Sequence, residues 1–304
     1  MVGSEFARRS IEESPVPSRH ELGARPTGFT RLRRRLNVQL VLGLALFSVL
    51  LLATVFASVI STHDPNAITT TGSLAPPQAG HLLGTDSIGR DVFSRVLHGG
   101  RVSLQVSVLS VAVALVLGLL LGIPAGYLGG RVDQVITRVL DVLFAFPAIL
   151  FALVVVTILG PSIRNLALTI GFLYAPRMAR IVRAPTLAVK EREFVEAARA
   201  IGAGDLRIVS KHILPNASSP VIVEVSLALG QVILTETALS FLGLGPPPPA
   251  ASWGAMLGQS RQFMEFAPWT VLAPGLAIVL SATCFLLIGH GLRRALDPRE
   301  RSVR

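Results

Sequence analysis

The side chains with most chemistry to offer in this 304-residue chain are carboxylates and amides set in apolar surroundings. Glu224, Ala228, Gln231, Thr235 and Ala238 share one helical face of the stretch Val221 to Leu242. A carboxylate inside a bilayer is costly unless it faces a cavity or a partner. Glu224, Gln231 and Thr235 are therefore candidates for lining a pathway or a subunit interface. Glu224 starts only about 9 Å into the stretch, so reaching the cytoplasmic interface is the alternative. Glu236, near the other end, is expected in solvent. The two glutamates lie about 18 Å apart along a helix, too far to act as an acid–base pair, and no catalytic residue is assigned. No G-x-x-x-x-G-K-[ST], H-E-x-x-H or G-x-S-x-G occurs, so the chain does not itself cradle ATP phosphates. His20, His63, His81, His98, His212 and His290 are scattered along the sequence, and no metal site is expected.

These residues need elements that hold them in lipid. Hydrophobic residues make up 51% and charged residues 15% of the chain, which excludes an ordinary soluble globule. The expectation is an all-α integral membrane protein. Val38 to Ile60 gives about 34 Å of apolar helix, an anchor that stays rather than a cleavable signal. Further spans are expected at Leu104 to Tyr127, Leu140 to Leu159, Leu166 to Ile181, Val221 to Leu242 and Val271 to Ile288, six in all. Pro176 and Arg177 interrupt the fourth. With the N-terminus inside, all but five of the 28 basic residues fall on the cytoplasmic side; Arg90, Arg95, Arg101, Arg164 and Arg261 remain outside. That bias predicts both termini in the cytoplasm. The net charge of +10 then follows topology, with the lipid bilayer as partner and no nucleic acid implied. Cys284 is expected as a small buried hydrophobe.

The resulting organisation is a flexible basic tail (1–36), a first span with an external segment (37–103), a five-helix core (104–292) with a cytoplasmic loop at 186–216, and a short tail (293–304). Gly118, Gly122 and Gly126 recur one turn apart, allowing very close helix approach, either within the subunit or along a pathway. Outside, Val92, Val96 and Leu97 share a face, with Arg90, Asp91, Ser94 and Arg95 elsewhere, predicting an amphipathic helix at the outer surface. The loop Gly245 to Pro268 contains Pro246 to Pro249, Trp253 and Trp269, and reads as a stiff connector, a gate or a contact for another protein, its tryptophans at the water interface.

The cytoplasmic loop has its own pattern. Phe194, Ala197, Ala198 and Ile201 form a small-residue apolar face with Glu193, Glu196 and Arg199 elsewhere. Gly202 and Gly204 end that helix, Asp205 caps a second, and Pro215 stops it. Two short helices joined by a glycine hinge would fit a partner's groove. Glu196, Ala197, Ala198, Gly202, Leu214 and Pro215 resemble the EAA coupling loop of permease subunits of bacterial ATP-binding-cassette importers, with His212 where that family usually has isoleucine. Gly84-Thr85-Asp86, Gly89-Arg90-Asp91 and Ser94-Arg95 resemble the external motif of the C-type permease of dipeptide and oligopeptide importers. Lys211 to Asn216 and Glu236 to Gly245 add to the likeness, which covers roughly residues 36 to 299.

The resemblance implies a type I importer permease in a bacterial cytoplasmic membrane. It implies a sibling permease, two ATP-binding-cassette ATPase domains that hold the ATP and Mg²⁺, an extracytoplasmic binding protein and a peptide substrate, with no cofactor on this chain. Relatives of that kind also import nickel complexes, glutathione or haem. A gradient-driven secondary transporter is the competing class; the two halves show no convincing internal repeat of the sort many such proteins carry.

Overall fold

The computed structural model describes residues 37–296; the basic N-terminal tail and the end of the C-terminal tail lie outside the described residues. The described chain is helical: α1 (Val38–Val55), α2 (Ala57–Ile60), α3 (Val92–Leu128), α4 (Gly130–Ala145), α5 (Ala148–Leu159), α6 (Ile163–Lys190), α7 (Glu193–Ala200), α8 (Asp205–Ile208), α9 (Leu214–Leu239), α10 (Trp253–Ser260) and α11 (Trp269–Leu296). A π-helical turn at Val209–Ile213 fuses α8 to α9, and another at Ser240–Leu244 extends α9. Four continuous helical stretches (α1, α3, Asp205–Leu244 and α11) are long and apolar enough to cross a membrane, and the bent pair α4–α5 brings the number to five.

The stripe of glycines explains the tightest pairing. A Cβ on Gly118 would lie 2.5 Å from Met178 Cγ, one on Gly122 2.5 Å from the Ala179 carbonyl oxygen, and one on Gly126 2.8 Å from the Arg183 carbonyl oxygen. Without Cβ atoms, α3 lies directly on α6, and dispersion contacts replace the hydrophobic drive that lipid cannot supply. The glycines thus serve packing within the subunit. Val106, Ala152, Val156, Leu166, Ile170, Met178, Ala228 and Val232 form the core where α3, α5, α6 and α9 meet. Helix α1 lies on α11: Gly43 abuts Leu287 and Ile288, Gly291 abuts Leu40, and the Asn37 amide donates to the Gly291 carbonyl at 3.0 Å. Arg101 of α3 donates to the carbonyls of Thr54 and Val55, both at 2.7 Å, satisfying acceptors that the end of α1 leaves open. Cys284 is buried, as expected of a small hydrophobe.

Several elements differ from the sequence expectation. Helix α3 begins at Val92, so the separate amphipathic helix is instead the first turns of a 37-residue helix. The third apolar stretch breaks at Phe146–Pro147, where α4 and α5 meet at 87°. A proline at that point lacks the donor that would continue the ladder. Helix α6 runs through Pro176 and Pro185 without ending. Two of its arginines are matched by carboxylates on α4: Arg180 by Asp141 and Arg183 by Asp133. Pro215 does not stop a helix; it sits in the first turn of α9, where a missing N–H is tolerated.

Candidate functional site

Three groups of sequence-predicted residues occupy three places. The first is the 193–217 hairpin. Glu193 and Glu196 lie in the first turn of α7 and Arg199 in its last, the arrangement that the helix dipole favours. Gly202 adopts φ +81°, the left-handed conformation that closes a helix C-terminus, and its N–H donates to the Arg199 carbonyl at 2.9 Å. Asp205 does not cap α8 through its side chain; its carboxylate accepts from the Tyr127 hydroxyl of α3. Arg199 lies over the Tyr127 ring at 5.5 Å. Val195, Ala198, Ile208, Ile213 and Ala217 close around Tyr127.

That packing divides the helix faces differently from the expectation. Val195, which the pattern did not place on the apolar face, is fully buried, whereas Ile201 is 86% exposed and Phe194 and Ala197 are exposed with it. Phe194, Ala197, Ile201, Gly202, Lys211 and His212 line an open concavity of about 510 Å³. Glu196 and Pro215 are exposed, Leu214 is half-buried, and Ala198 alone of the six motif residues is buried. Small and apolar side chains thus lie exposed on a hairpin that is braced from behind.

The second place is the polar face of α9. Arg177 Nε of α6 lies 2.7 Å from Glu224 Oε1, and the same guanidinium donates to Gln231 Oε1 at 2.6 Å. The Tyr174 and Thr235 hydroxyls share a hydrogen bond of 2.9 Å. All three candidates on α9 therefore face α6. Glu224 is buried, while the Arg177 side chain is 43% exposed, so one end of this charged pair opens from the helix pair. Glu236 is not solvated as expected. It is fully buried, and the Ser240 hydroxyl donates to its Oε1 at 2.7 Å.

The third place is the external motif, and here the four residues expected away from the apolar face are all buried. Asp86 Oδ1 accepts from the backbone N–H of Ile88 at 3.0 Å and of Arg90 at 2.9 Å; its Oδ2 lies 2.7 Å from Arg90 Nε and 3.5 Å from Arg95 Nε. Arg95, 1% exposed, also donates to the Pro65 carbonyl. The Thr85 hydroxyl donates to the Gly72 carbonyl and accepts from the Ala75 N–H, both at 2.8 Å. Gly84 has φ +68°, and a Cβ there would meet the Ala75 carbonyl at 2.5 Å and the Trp269 indole at 2.7 Å. Gly89 takes φ +86°. Asp91 caps α3 through Oδ2, which accepts from the Ser94 N–H at 2.8 Å. Burial pushes the Asp91 carboxyl up, but hydrogen bonds from Ser94 and His81 outweigh it and hold the group below the usual range.

The proline-rich loop closes over this segment. Trp253, expected at the water interface, is 1% exposed; its N–H meets Ser103 Oγ at 3.2 Å and its indole donates to the Val96 carbonyl at 2.9 Å. Gln259 accepts from Arg90 at 3.3 Å. Periodicity missed these burials because it scores apolar side chains, and ion pairs that neutralise each other carry no such signal.

Residues 118–302 match the family described as binding-protein-dependent transport system inner membrane component. The chain is 41% identical over 291 residues to the dipeptide transport system permease protein DppC of Alkalihalophilus pseudofirmus, covering 95% of each chain. It is 43% identical over 272 residues to the glutathione transport system permease protein GsiD of Pectobacterium atrosepticum, covering 89% of this chain and 90% of that one. Among solved structures, a chain of the inward-facing MetNI methionine ABC transporter superimposes with a TM-score of 0.52 at 18% identity, over 67% of this chain and 96% of its own.

Proposed function

Because this chain belongs to the family of binding-protein-dependent transport system inner membrane components, we propose that it is the permease subunit of an ATP-driven importer of di- and oligopeptides. In this reading it crosses a bacterial cytoplasmic membrane six times with both termini inside. Helix α6 supplies the sixth span, with Arg177, Arg180 and Arg183 neutralised by Glu224, Asp141 and Asp133. A sibling permease completes the pathway, an extracytoplasmic binding protein delivers the peptide, and two ATPase domains in the cytoplasm hold the ATP and Mg²⁺. The chain itself carries out no hydrolysis. The peptide cargo rests on the names of the relatives, the first of which is a dipeptide permease; a glutathione permease at comparable identity makes that tripeptide the second reading.

The observation that carries the coupling role is the exposed concavity at Phe194, Ala197, Ile201 and Gly202 on a hairpin fused to a span without an intervening loop. Residues 205–239 run as one helical path through the π-helical turn. A displacement of α7 by a closing ATPase dimer passes through Tyr127 to α3 and through the π-helical turn to α9. The pathway then alternates between inward and outward access, and each ligand shifts that equilibrium only through its different affinity for the two states. Arg177, Glu224 and Gln231 line the route or the interface with the sibling subunit.

The test is uptake of a labelled dipeptide by cells carrying this chain with its neighbouring subunits. ATP-dependent uptake resistant to a protonophore supports the importer. Uptake that collapses with the proton gradient overturns it in favour of a secondary transporter, and ATP-dependent uptake of labelled glutathione without uptake of the dipeptide moves the cargo to the second reading.

A further inference from the structure

The histidines look scattered in the sequence, but folding brings two of them to one carboxylate. His63, just after α2, stacks on His81 with ring centroids 4.4 Å apart. His81 Nδ1 lies 2.9 Å and His63 Nδ1 3.9 Å from the same atom, Asp91 Oδ1. One ligand atom from each of the three residues falls within 4.8 Å of the others. Four-coordinate Zn²⁺, with bonds of roughly 2.0 to 2.2 Å, separates its ligand atoms by about 3.3 Å, a value the two observed separations bracket.

The surroundings suit a cation. Two carboxylates are buried in this segment, and they are neutralised differently. Asp86 faces the guanidinium groups of Arg90 and Arg95. Among the described residues, the basic side chains within ion-pair distance of Asp91 are the two imidazoles. Its Oδ2 is taken by the Ser94 N–H, with the Thr62 hydroxyl at 3.4 Å, while Oδ1 faces the two imidazoles. His81 Nε2 lies 3.1 Å from Thr71 Oγ1. His81 Nδ1–H donates to Asp91 Oδ1 at 2.9 Å; a bound cation takes the place of that proton, and the N–H then sits on Nε2 facing Thr71, the outer-shell arrangement typical of ligating histidines. The His63 side chain is 33% exposed, so the cluster is open to solvent on that side.

We propose that His63 Nδ1, His81 Nδ1 and Asp91 Oδ1 bind one first-row divalent transition cation of the Zn²⁺ type, which ties the chain leaving α2 to the start of α3. Imidazole and carboxylate ligands fit Zn²⁺ and its neighbours and disfavour Ca²⁺ and Mg²⁺, which prefer all-oxygen sets.

The experiment titrates Co²⁺ into the detergent-solubilised full chain, stripped by chelator and carrying a tag without histidine. Bound Co²⁺ in a low-coordinate nitrogen–oxygen site absorbs visibly, and saturation at one equivalent is expected, reversed by Zn²⁺. His63→Ala, whose side chain is partly exposed, and Asp91→Asn, which keeps an oxygen to cap α3, should each weaken binding by more than the about 10- to 100-fold that loss of an outer-shell partner causes. His290→Ala, at an exposed position, should bind like the wild type. Zn²⁺ should raise the melting temperature of the wild type and not of His63→Ala. Absence of a saturable visible band in monodisperse wild-type protein, or unchanged binding in both ligand variants, overturns the proposal.

Discussion

The external motif and the 193–217 hairpin are both polar, patterned stretches between apolar helices, and they dispose of their side chains in opposite ways. In the first, Thr85, Asp86, Arg90, Asp91 and Arg95 are buried and bonded to one another or to nearby backbone. In the second, Glu196, Ala197, Gly202 and Pro215 stay exposed, and the bracing comes from Val195, Ile208 and Ile213 packed behind them around Tyr127. A patterned motif therefore marks self-held structure in one case and an exposed surface in the other. Exposure separates the two. Substitutions in the 84–95 motif should act on folding first, and substitutions in the hairpin on transport first.

The sharpest way to break that contrast is Asp86→Ala. It leaves Arg90 and Arg95 buried without their carboxylate, and removing one partner from such a cluster costs about 3 to 5 kcal/mol. The expected result is a marked loss of melting temperature and of membrane yield; wild-type stability would mean that the outer segment is not held by its own charges. Gly202→Pro follows. Proline cannot adopt φ +81° and removes the N–H donated to the Arg199 carbonyl, a local cost of roughly 3 kcal/mol. Peptide uptake should be abolished while the protein still reaches the membrane.

The adjacent alanines test the same division on one helix. Ala198→Leu overpacks the Tyr127 cluster and should destabilise the hairpin by about 1 to 3 kcal/mol. Ala197→Leu adds the same side chain to the open concavity and should change stability by no more than about 0.5 kcal/mol, yet block transport; thermal unfolding and uptake assayed together distinguish the two. Glu196→Arg is the smallest perturbation of the fold. Reversing a charge in the first turn of α7 costs at most about 0.3 to 1 kcal/mol through the helix dipole, and uptake should fall far more than that figure implies for folding.

How much of this the sequence discloses depends on whether the stabilising interaction leaves a periodic trace. The glycines of α3 recur once per turn, and the close approach they allow is visible before α6 is known as their neighbour. Glu224, Gln231 and Thr235 declare one face for the same reason, although only the fold supplies Arg177 and Tyr174 opposite them. The burial of Arg95 and Trp253 is illegible because their partners, Asp86, Pro65, Ser103 and Val96, come from distant segments or turns that no local pattern fixes. Asp205 next to a glycine reads as a cap, yet a tyrosine 78 residues earlier claims its carboxylate. Val195 escaped the hairpin's apolar face because a short helix offers too few turns to tell an inward stripe from an outward one. The meeting of His63 and His81 rests on a loop whose path is set by Gly84, Gly89 and the Asp86 hub, so spacing along the chain says nothing of it.

The most direct test of the hairpin's role is capture of the neighbouring ATPase subunits by the detergent-solubilised chain, comparing the wild type with Gly202→Pro and recording thermal unfolding of both. Stable co-purification with the wild type and its loss in the variant are expected, with the helix pair α3–α6 still folded. Equal capture by both proteins, or none by a properly folded wild type, would contradict the assignment of this hairpin as the coupling element.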